Sequence, residues 1–207
     1  MQKLSKVLML VGSLLLLLLF VTPLWRITLE APQYPGGITM YIWINKITGD
    51  TPYTLQNINI LNHYVGMQYI EPDSIPELKY FPYVIVAMVI FGVVTSLTGK
   101  RKLMLTWVLV MAALGALGLY DFYLWEYDYG HNLDPNAPIK VPGMAYQPPV
   151  IGSKMLLNFN AISYPYWGGL FLGLSMLMAA TAFFIGKKKE SKKEEKAVHK
   201  HSFATQG

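Results

Sequence analysis

The sequence predicts an α-helical membrane protein with four transmembrane helices and a small α+β periplasmic cap built from two extracytoplasmic segments. Two observations lead to this fold class. Four apolar stretches approach the roughly 20 residues that a bilayer-spanning helix needs, in a chain of 207 residues that is 53% hydrophobic. The charged residues between these stretches also separate by sign, in the manner of the positive-inside rule.

Each predicted transmembrane helix is one continuous apolar stretch. The four stretches cover approximately residues 7–24, 80–97, 103–120 and 166–185. The first follows two lysines and so also resembles a secretory signal, but it ends in TPLWR rather than in a small-residue cleavage site. We therefore expect it to remain attached as a membrane anchor.

These helices divide the chain into six parts. They are an anchor (1–24), a first extracytoplasmic segment (25–79), a helical hairpin (80–120), a second extracytoplasmic segment (121–165), a fourth helix (166–186) and a basic tail (187–207). The tail is highly charged, and we expect it to be disordered. Neither extracytoplasmic segment is long enough for a large core of its own, so we expect the two to fold on each other.

Positive charges gather on one predicted side of the membrane. The stretches before the first helix, between the second and third, and after the fourth carry 12 Lys and Arg against 3 Glu, whereas the two extracytoplasmic segments carry 5 Lys and Arg against 9 Asp and Glu. This predicts a multi-pass protein of the bacterial inner membrane with both termini in the cytoplasm. Because topology accounts for the net charge of +5, we expect contact with the lipid bilayer and none with nucleic acid.

The first extracytoplasmic segment is expected to contain a β-hairpin followed by an amphipathic helix. Residues 25–31 and 38–44 are rich in β-branched and aromatic side chains, and a turn rich in Pro and Gly separates them. Residues 52–70 carry apolar side chains at helical spacing after a Thr-Pro pair that is typical of a helix start. The sequence SIPE at 74–77 is a capping box, so the second membrane helix should begin near residue 75.

The second extracytoplasmic segment is expected to be an ordered, aromatic-lined loop. Prolines recur through it, and helix signals are few after Gly130. Its many Tyr, Phe, Ile and Leu residues argue against disorder. A loop of this length in a compact protein is usually functional.

Small residues on the third helix are expected to let it pack closely against its neighbours. They are Ala112, Ala113, Gly115, Ala116 and Gly118. Small side chains allow the backbones of membrane helices to approach one another.

Two histidines and two methionines in the extracytoplasmic segments form a candidate copper site. His63 and Met67 are four residues apart and would share one face of the predicted helix, while His131 and Met144 lie in the second segment. Imidazole and thioether ligands together favour copper, and the chain has no cysteine to supply a thiolate. The sequence therefore predicts Cu(I) held by His63, Met67, His131 and Met144.

Each of these residues also has an interpretation without metal. Met67 is typical of an apolar helix face, and His131 would be a solvent-facing loop residue hydrogen-bonded to Asp134. The two histidines as axial haem ligands would need to stand on facing helices, which the pattern around His131 does not indicate. An enzyme is the least supported class, because neither a nucleophile–base pair nor paired carboxylates are evident.

Six short motifs between about residue 20 and residue 170 resemble those of a known family. They are PLWRI at 23–27, APQYPG at 31–36, LNHYVGM at 61–67, YGHNLDP at 129–135, VPGMAYQPP at 141–149 and LLNF at 156–159. The family consists of small polytopic membrane proteins encoded in nitrous-oxide-reductase gene clusters, called NosB in some of them. The resemblance implies an accessory protein that supports a periplasmic copper enzyme by assembly, copper supply or electron delivery. It supplies no established site, so the copper ligands depend on the residues of this chain.

The leading hypothesis is therefore an accessory inner-membrane protein whose cap binds copper for a periplasmic copper enzyme such as nitrous oxide reductase, or docks that enzyme. The rival hypothesis is a structural membrane subunit without metal, whose cap is a protein–protein interface. Copper titration separates the two hypotheses, because an unchanged stoichiometry after His63→Ala and His131→Ala would end the four-ligand version.

Overall fold

A computed structural model describes the backbone of residues 2–204 and the side chains of residues 3–186. The helices are α1 (Gln2–Leu15), α2 (Thr54–Val65), α3 (Glu77–Thr98), α4 (Arg101–His131) and α5 (Trp167–Ala204). The strands are β1 (Trp25–Ala31), β2 (Tyr34–Ile42), β3 (Ile47–Gly49), β4 (Gly152–Leu156) and β5 (Phe159–Pro165). The tail predicted to be disordered, from residue 187, lies outside the residues whose side chains are described, and α5 is assigned through it as far as Ala204.

Contacts within the chain define two compact units, each of which we describe by itself. The helical unit comprises Met1–Leu17, Ile85–Ala113 and Leu172–Gly207. The sheet unit comprises Leu18–Val84 and Leu114–Phe171. Both predicted extracytoplasmic segments fall within the sheet unit.

The four predicted apolar helices are confirmed as helices. In the described part of the chain, four helices are long and apolar enough to cross a membrane. They are Lys3–Phe20, Glu77–Thr98, Arg101–His131 and Trp167–Gly186. The first of these ends in a 3-10 turn at Leu16–Phe20 that continues α1. Their mean hydropathies of 1.9 to 2.1 are those of bilayer-spanning segments.

Polar side chains join the helices of the helical unit. The hydroxyl of Ser175 in α5 donates to the carbonyl of Gly12 in α1 at 2.6 Å. The indole Nε1 of Trp107, a fully buried residue of α4, donates to the carbonyl of Met88 in α3 at 2.9 Å. Hydrogen bonds of this kind are one of the main attractions between helices in an apolar surrounding.

The small-residue face predicted on α4 is wrong as a packing surface within this chain. A Cβ atom added at Gly115 or Gly118 would meet no described atom within 4 Å. The close approach lies instead at Gly92 in α3, where an added Cβ would overlap the side chain of Ser13 and stand 3.0 Å from Nε1 of Trp107. Gly115 and Gly118 belong to the sheet unit, and the close approach within the helical unit is at Gly92 of α3.

The sheet unit is built on a five-stranded antiparallel sheet with the strand order β3-β2-β1-β5-β4. The predicted β-hairpin is confirmed, with β1 at its predicted bounds and Leu29 of β1 opposite Ile38 of β2. The second strand, predicted over 38–44, instead runs over Tyr34–Ile42 and takes in part of the predicted turn. On its other side β1 pairs with β5, where Trp25 lies opposite Pro165. The two predicted extracytoplasmic segments therefore contribute strands to one sheet, which confirms that they fold on each other.

One face of this sheet carries the apolar core of the unit. Side chains alternate between the two faces of a strand, and Ile27 and Leu29 of β1 and Met40 of β2 are buried on the same face. Ile58 of α2 and Tyr129 of α4 belong to the same cluster of buried residues. The core thus lies where the sheet, α2 and the last turns of α4 meet.

The interpretation of residues 121–165 as a loop is wrong at both ends of that segment. Helix α4 continues past the predicted boundary at residue 120 to His131, because residues 121–129 contain neither Gly nor Pro. Strands β4 and β5 form a second hairpin, with Leu157 in its turn at a positive φ of 56°. His131 is consequently the last residue of a helix and not a loop residue.

Helix α2 is shorter than the predicted helix over 52–70. It ends at Val65 because Gly66 takes a left-handed conformation with φ of 82°, in which its N–H is bonded to the carbonyls of Asn62 and His63. Met67 lies beyond this end. The prediction that His63 and Met67 share a helix face is therefore wrong.

Both predicted helix starts are also displaced. Helix α2 begins at Thr54 rather than at residue 52, with Tyr53 as its N-cap residue. The predicted capping box does not form, because the hydroxyl of Ser74 donates to the carbonyl of Glu71 at 2.7 Å. Helix α3 begins two residues later than predicted, at Glu77, after a 3-10 turn at Pro72–Ser74.

Candidate functional site

Two asparagines of α2 hold the chain that follows the helix. Asn62 Nδ2 donates to the carbonyl of Gln68 at 3.1 Å. The backbone N–H of Ile70 donates to Asn59 Oδ1 at 2.8 Å, and Asn59 Nδ2 donates to the carbonyl of Ile70 at 3.2 Å. These side chains replace the backbone bonds that end with the helix, so Met67 is held beside α2 and against the core.

The chain after α4 is hydrogen-bonded to the C-terminal end of α2. The backbone N–H of Asp134 donates to the carbonyl of Gly66 at 2.8 Å, and that of Ile139 donates to the carbonyl of Tyr64 at 2.9 Å. Gly66 also fits tightly, since an added Cβ would stand 2.9 Å from the Cβ of Ala137. The segments that carry His63 and His131 are thus joined directly within the sheet unit.

A cavity of about 50 Å³ lies in the core of the sheet unit. Strands β1 and β2, helix α2, the chain after α2 and the last turns of α4 all contribute to its lining, which is mostly apolar. Met40 and Met67 both line it. Among the described residues that line it, Glu126 of α4 is the only acidic or basic residue.

Three polar side chains of this cavity lack hydrogen-bond partners among the described residues, and one of them is Trp125, whose indole Nε1 is buried. Glu126 is 0% exposed, and neither carboxyl oxygen has a partner among the described residues. Tyr146 is 1% exposed, and its hydroxyl likewise has none. The great majority of buried polar groups in proteins are bonded, and leaving one unbonded costs about 1–3 kcal/mol. These three side chains therefore make the cavity a candidate site for a ligand that would supply the missing bonds.

A close contact between α4 and the chain after it places Tyr146 at the cavity. The backbone N–H of Tyr146 donates to the carbonyl of Gly130 at 2.8 Å. A Cβ at Gly130 would overlap the backbone of Gln147, so this position requires glycine. Tyr129, one residue earlier, is fixed by its hydroxyl, which donates to the carbonyl of Tyr69 at 3.1 Å.

The predicted copper ligands occupy different surroundings. His63 is exposed, and its ring lies 6.2 Å from that of Tyr64 and 6.2 Å from that of Tyr69. His131 is also exposed; its ring stacks on Tyr127 with the centroids 3.9 Å apart, and its Nδ1 is 2.9 Å from the carbonyl oxygen of Tyr127. Both histidines lie on helices, which axial haem ligands would require. The ring of His131 stacks on Tyr127, and the ring of His63 lies beside those of Tyr64 and Tyr69.

Met67 is the only one of the four predicted ligands that lines the cavity. Met144 is half-buried, in a turn where its backbone N–H donates to the carbonyl of Val141 at 3.1 Å. Among the described residues, no group of three or more His, Cys, Asp or Glu side chains could hold a metal ion. The copper site of His63, Met67, His131 and Met144 therefore stays a prediction, while the cavity presents a different set of donors.

Glu126 and the cavity were missed by the sequence analysis, although a signal for them exists. Phe122, Trp125, Glu126 and Tyr129 follow one another at helical spacing and so share one face of α4. Had residues 121–131 been interpreted as helix, a carboxyl group on an aromatic helix face would have indicated burial. The prolines that follow Gly130 in this segment indicated a loop instead.

A group of exposed aromatic and apolar side chains lies beside the contact between α2 and the chain after α4. We call it the aromatic surface and define it by His63, Tyr64, Tyr69 and Ile139. Tyr64 is 49% and Tyr69 51% exposed, and Ile139 is exposed as well. Scattered exposed apolar residues are normal, whereas a contiguous group makes a candidate interaction site.

Comparison of the chain with protein-family models, with curated proteins and with solved structures finds no match.

Proposed function

We propose that this chain is an accessory protein of the bacterial inner membrane, with both termini in the cytoplasm, and that its sheet unit faces the periplasm and docks a partner protein. The partner that the sequence motifs imply is a periplasmic copper enzyme such as nitrous oxide reductase. In this role the chain is not itself an enzyme. It crosses the membrane with its four apolar helices and holds the partner near the membrane surface.

The aromatic surface is the main support for the docking role. Tyrosine is enriched in the cores and hot spots of protein interfaces, where its large ring is buried on binding. Tyr64 and Tyr69 leave about half of their surface exposed on either side of His63. The backbone bonds from Asp134 and Ile139 hold this region in one conformation, which lowers the entropic cost of binding.

The distribution of charge supports the periplasmic orientation. Lys3, Lys6 and the residues 100–102 flank the apolar helices on one side, and the lysine-rich tail follows the last of them. The segments of the sheet unit carry more acidic than basic residues. Positive charge is retained on the cytoplasmic side when membrane helices insert, so the sheet unit is assigned to the opposite side.

Copper handling is the second candidate function, and a specific observation favours it. Two methionines, Met40 and Met67, line the cavity that contains the unpaired carboxyl group of Glu126. Thioethers are soft ligands that select Cu(I). Copper supply to the docked enzyme would then accompany docking, whereas the structural-subunit alternative has docking without metal.

Affinity purification from native membranes tests the docking role. The double variant Tyr64→Ala/Tyr69→Ala should reduce retention of the periplasmic partner at least tenfold, because truncation of one interface hot spot costs about 2 kcal/mol or more. Tyr53→Ala is the control, since Tyr53 is also an exposed tyrosine but lies at the other end of α2, roughly 16 Å from Tyr64 along the helix.

Full retention of the partner by the double variant would contradict docking at the aromatic surface. Equal loss in the Tyr53→Ala control would show that the effect is not specific to that surface. Metal analysis of this chain purified free of its partner separates the candidates, since a structural subunit would carry no copper of its own.

A further inference from the structure

We propose that the cavity beside Glu126 binds one soft monovalent cation, Cu(I), through the carboxyl group of Glu126 and the thioethers of Met40 and Met67. This inference deepens the copper-handling candidate and rests on it. It places the metal in the interior of the sheet unit rather than between His63 and His131.

The charge of the cavity lining favours a monovalent cation. The carboxyl group of Glu126 is fully buried, and no basic side chain is among the described residues that line its cavity. A buried carboxylate is strongly destabilised unless a cation or hydrogen-bond donors compensate it. One monovalent cation beside Glu126 balances the single negative charge that this lining can carry.

The volume of the cavity suits a single ion. The cavity volume of about 50 Å³ compares with the roughly 10–15 Å³ that one water molecule requires, so three or four waters or one ion with fewer waters would fit. An apolar cavity that accepts benzene measures about 150 Å³. A ring-bearing molecule, a haem or a quinone included, is therefore too large for this space.

The side chains that line the cavity favour a soft cation over a hard one. Met40 reaches the cavity from β2, and Met67 reaches it from the chain held beside α2. Hard cations such as Ca²⁺ take six to eight oxygen ligands. The described side chains that line the cavity offer fewer oxygens, those of Glu126, Asn62, Tyr146 and Tyr129, and the hydroxyl of Tyr129 already bonds to Tyr69. Two thioethers with one carboxyl group instead match the preference of Cu(I).

Titration of the full-length protein in detergent with Cu(I), against a chromogenic Cu(I) chelator under anaerobic reducing conditions, tests the site. The parent chain should withdraw one Cu(I) per molecule. Glu126→Gln, Met40→Leu and Met67→Leu should each weaken binding at least tenfold. Replacement of Met by Leu nearly conserves volume, so the fold should survive in the two methionine variants and they decide the question if Glu126→Gln fails to fold.

Met155→Leu is the matched control, because Met155 is exposed on β4 and does not line the cavity. It should bind Cu(I) like the parent, and so should His63→Ala and His131→Ala. X-ray absorption at the copper edge should show sulfur and oxygen neighbours without imidazole.

Two results would overturn the inference. Loss of Cu(I) binding in the histidine variants with unchanged binding in the cavity variants would assign copper to the four-ligand site instead. Absence of Cu(I) binding by the parent chain would remove both this site and the copper-handling candidate. Neither result affects docking, since that role is measured by retention of the partner protein.

Discussion

The backbone N–H of Asp134 donates to the carbonyl of Gly66 at 2.8 Å and so joins two parts of the chain that α3 and α4 separate in sequence. Gly66 ends α2, and Asp134 lies shortly after the end of α4. The bond therefore fixes the C-terminal ends of two helices together. The aromatic surface and Met67 both lie next to this contact, so a change at Gly66 should affect both the docking surface and the lining of the cavity.

Replacement of Gly66 by alanine should destabilise the sheet unit. Its φ of 82° costs a residue with a Cβ about 1–2 kcal/mol, and the added atom would stand 2.9 Å from the Cβ of Ala137. We expect the melting temperature in detergent to fall by about 2–8 °C. Gly36→Ala is the control, because a Cβ there meets nothing within 4 Å. Equal melting of the two variants would show that the contact at Gly66 relaxes without cost.

Replacement of Gly92 by alanine should destabilise the helical unit. The new Cβ would overlap the side chain of Ser13 and crowd Trp107, and overpacking of this kind costs about 1–3 kcal/mol. Gly115→Ala in α4 is the matched control, since it meets no described atom within 4 Å. Thermal unfolding followed by tryptophan fluorescence measures the effect. A larger loss at Gly115 than at Gly92 would restore the small-residue face of α4 as a packing surface.

Replacement of Glu126 by leucine should leave the metal-free protein as stable as the parent or make it more stable. The substitution removes two buried carboxyl oxygens without partners, each of which costs about 1–3 kcal/mol. Addition of Cu(I) should raise the melting temperature of the parent but not that of the variant, because a ligand stabilises only the state that binds it.

Asp128→Leu serves as the control for this experiment, because Asp128 is exposed on the same helix. It should keep the copper-dependent shift of the parent. A metal-free Glu126→Leu protein that melts several degrees below the parent would mean that Glu126 has a stabilising partner, such as ordered water, in the absence of metal.

The parts of the fold that depend on local pattern could be predicted from the sequence. The apolar stretches gave the four long helices, and β-branched and aromatic residues gave β1 at its observed bounds. The pairing of β1 with β5 could not be predicted, because it joins residues such as Trp25 and Pro165 that lie far apart in sequence. No local pattern specifies which strand completes a sheet at that separation.

The candidate site was harder to predict than the fold. His63, Met67, His131 and Met144 were selected as metal ligands by residue type, and residue type does not fix where a side chain points. The end of α2 at Gly66 removes Met67 from the helix and places it at the cavity, while His63 stays exposed. Glu126 was assigned to a loop because prolines recur further along the same segment, although α4 continues to His131.

Accessibility of single cysteines tests the orientation of the sheet unit most directly, and the native chain has no cysteine to interfere. Tyr53→Cys and Ser153→Cys lie in the two segments of the sheet unit, and Lys100→Cys lies between α3 and α4; all three positions are exposed. In cells with a permeable outer membrane, a membrane-impermeant maleimide should label the first two and should label Lys100→Cys only after the inner membrane is disrupted. Labelling of Lys100→Cys in intact cells, with Tyr53→Cys and Ser153→Cys protected, would contradict the periplasmic docking role.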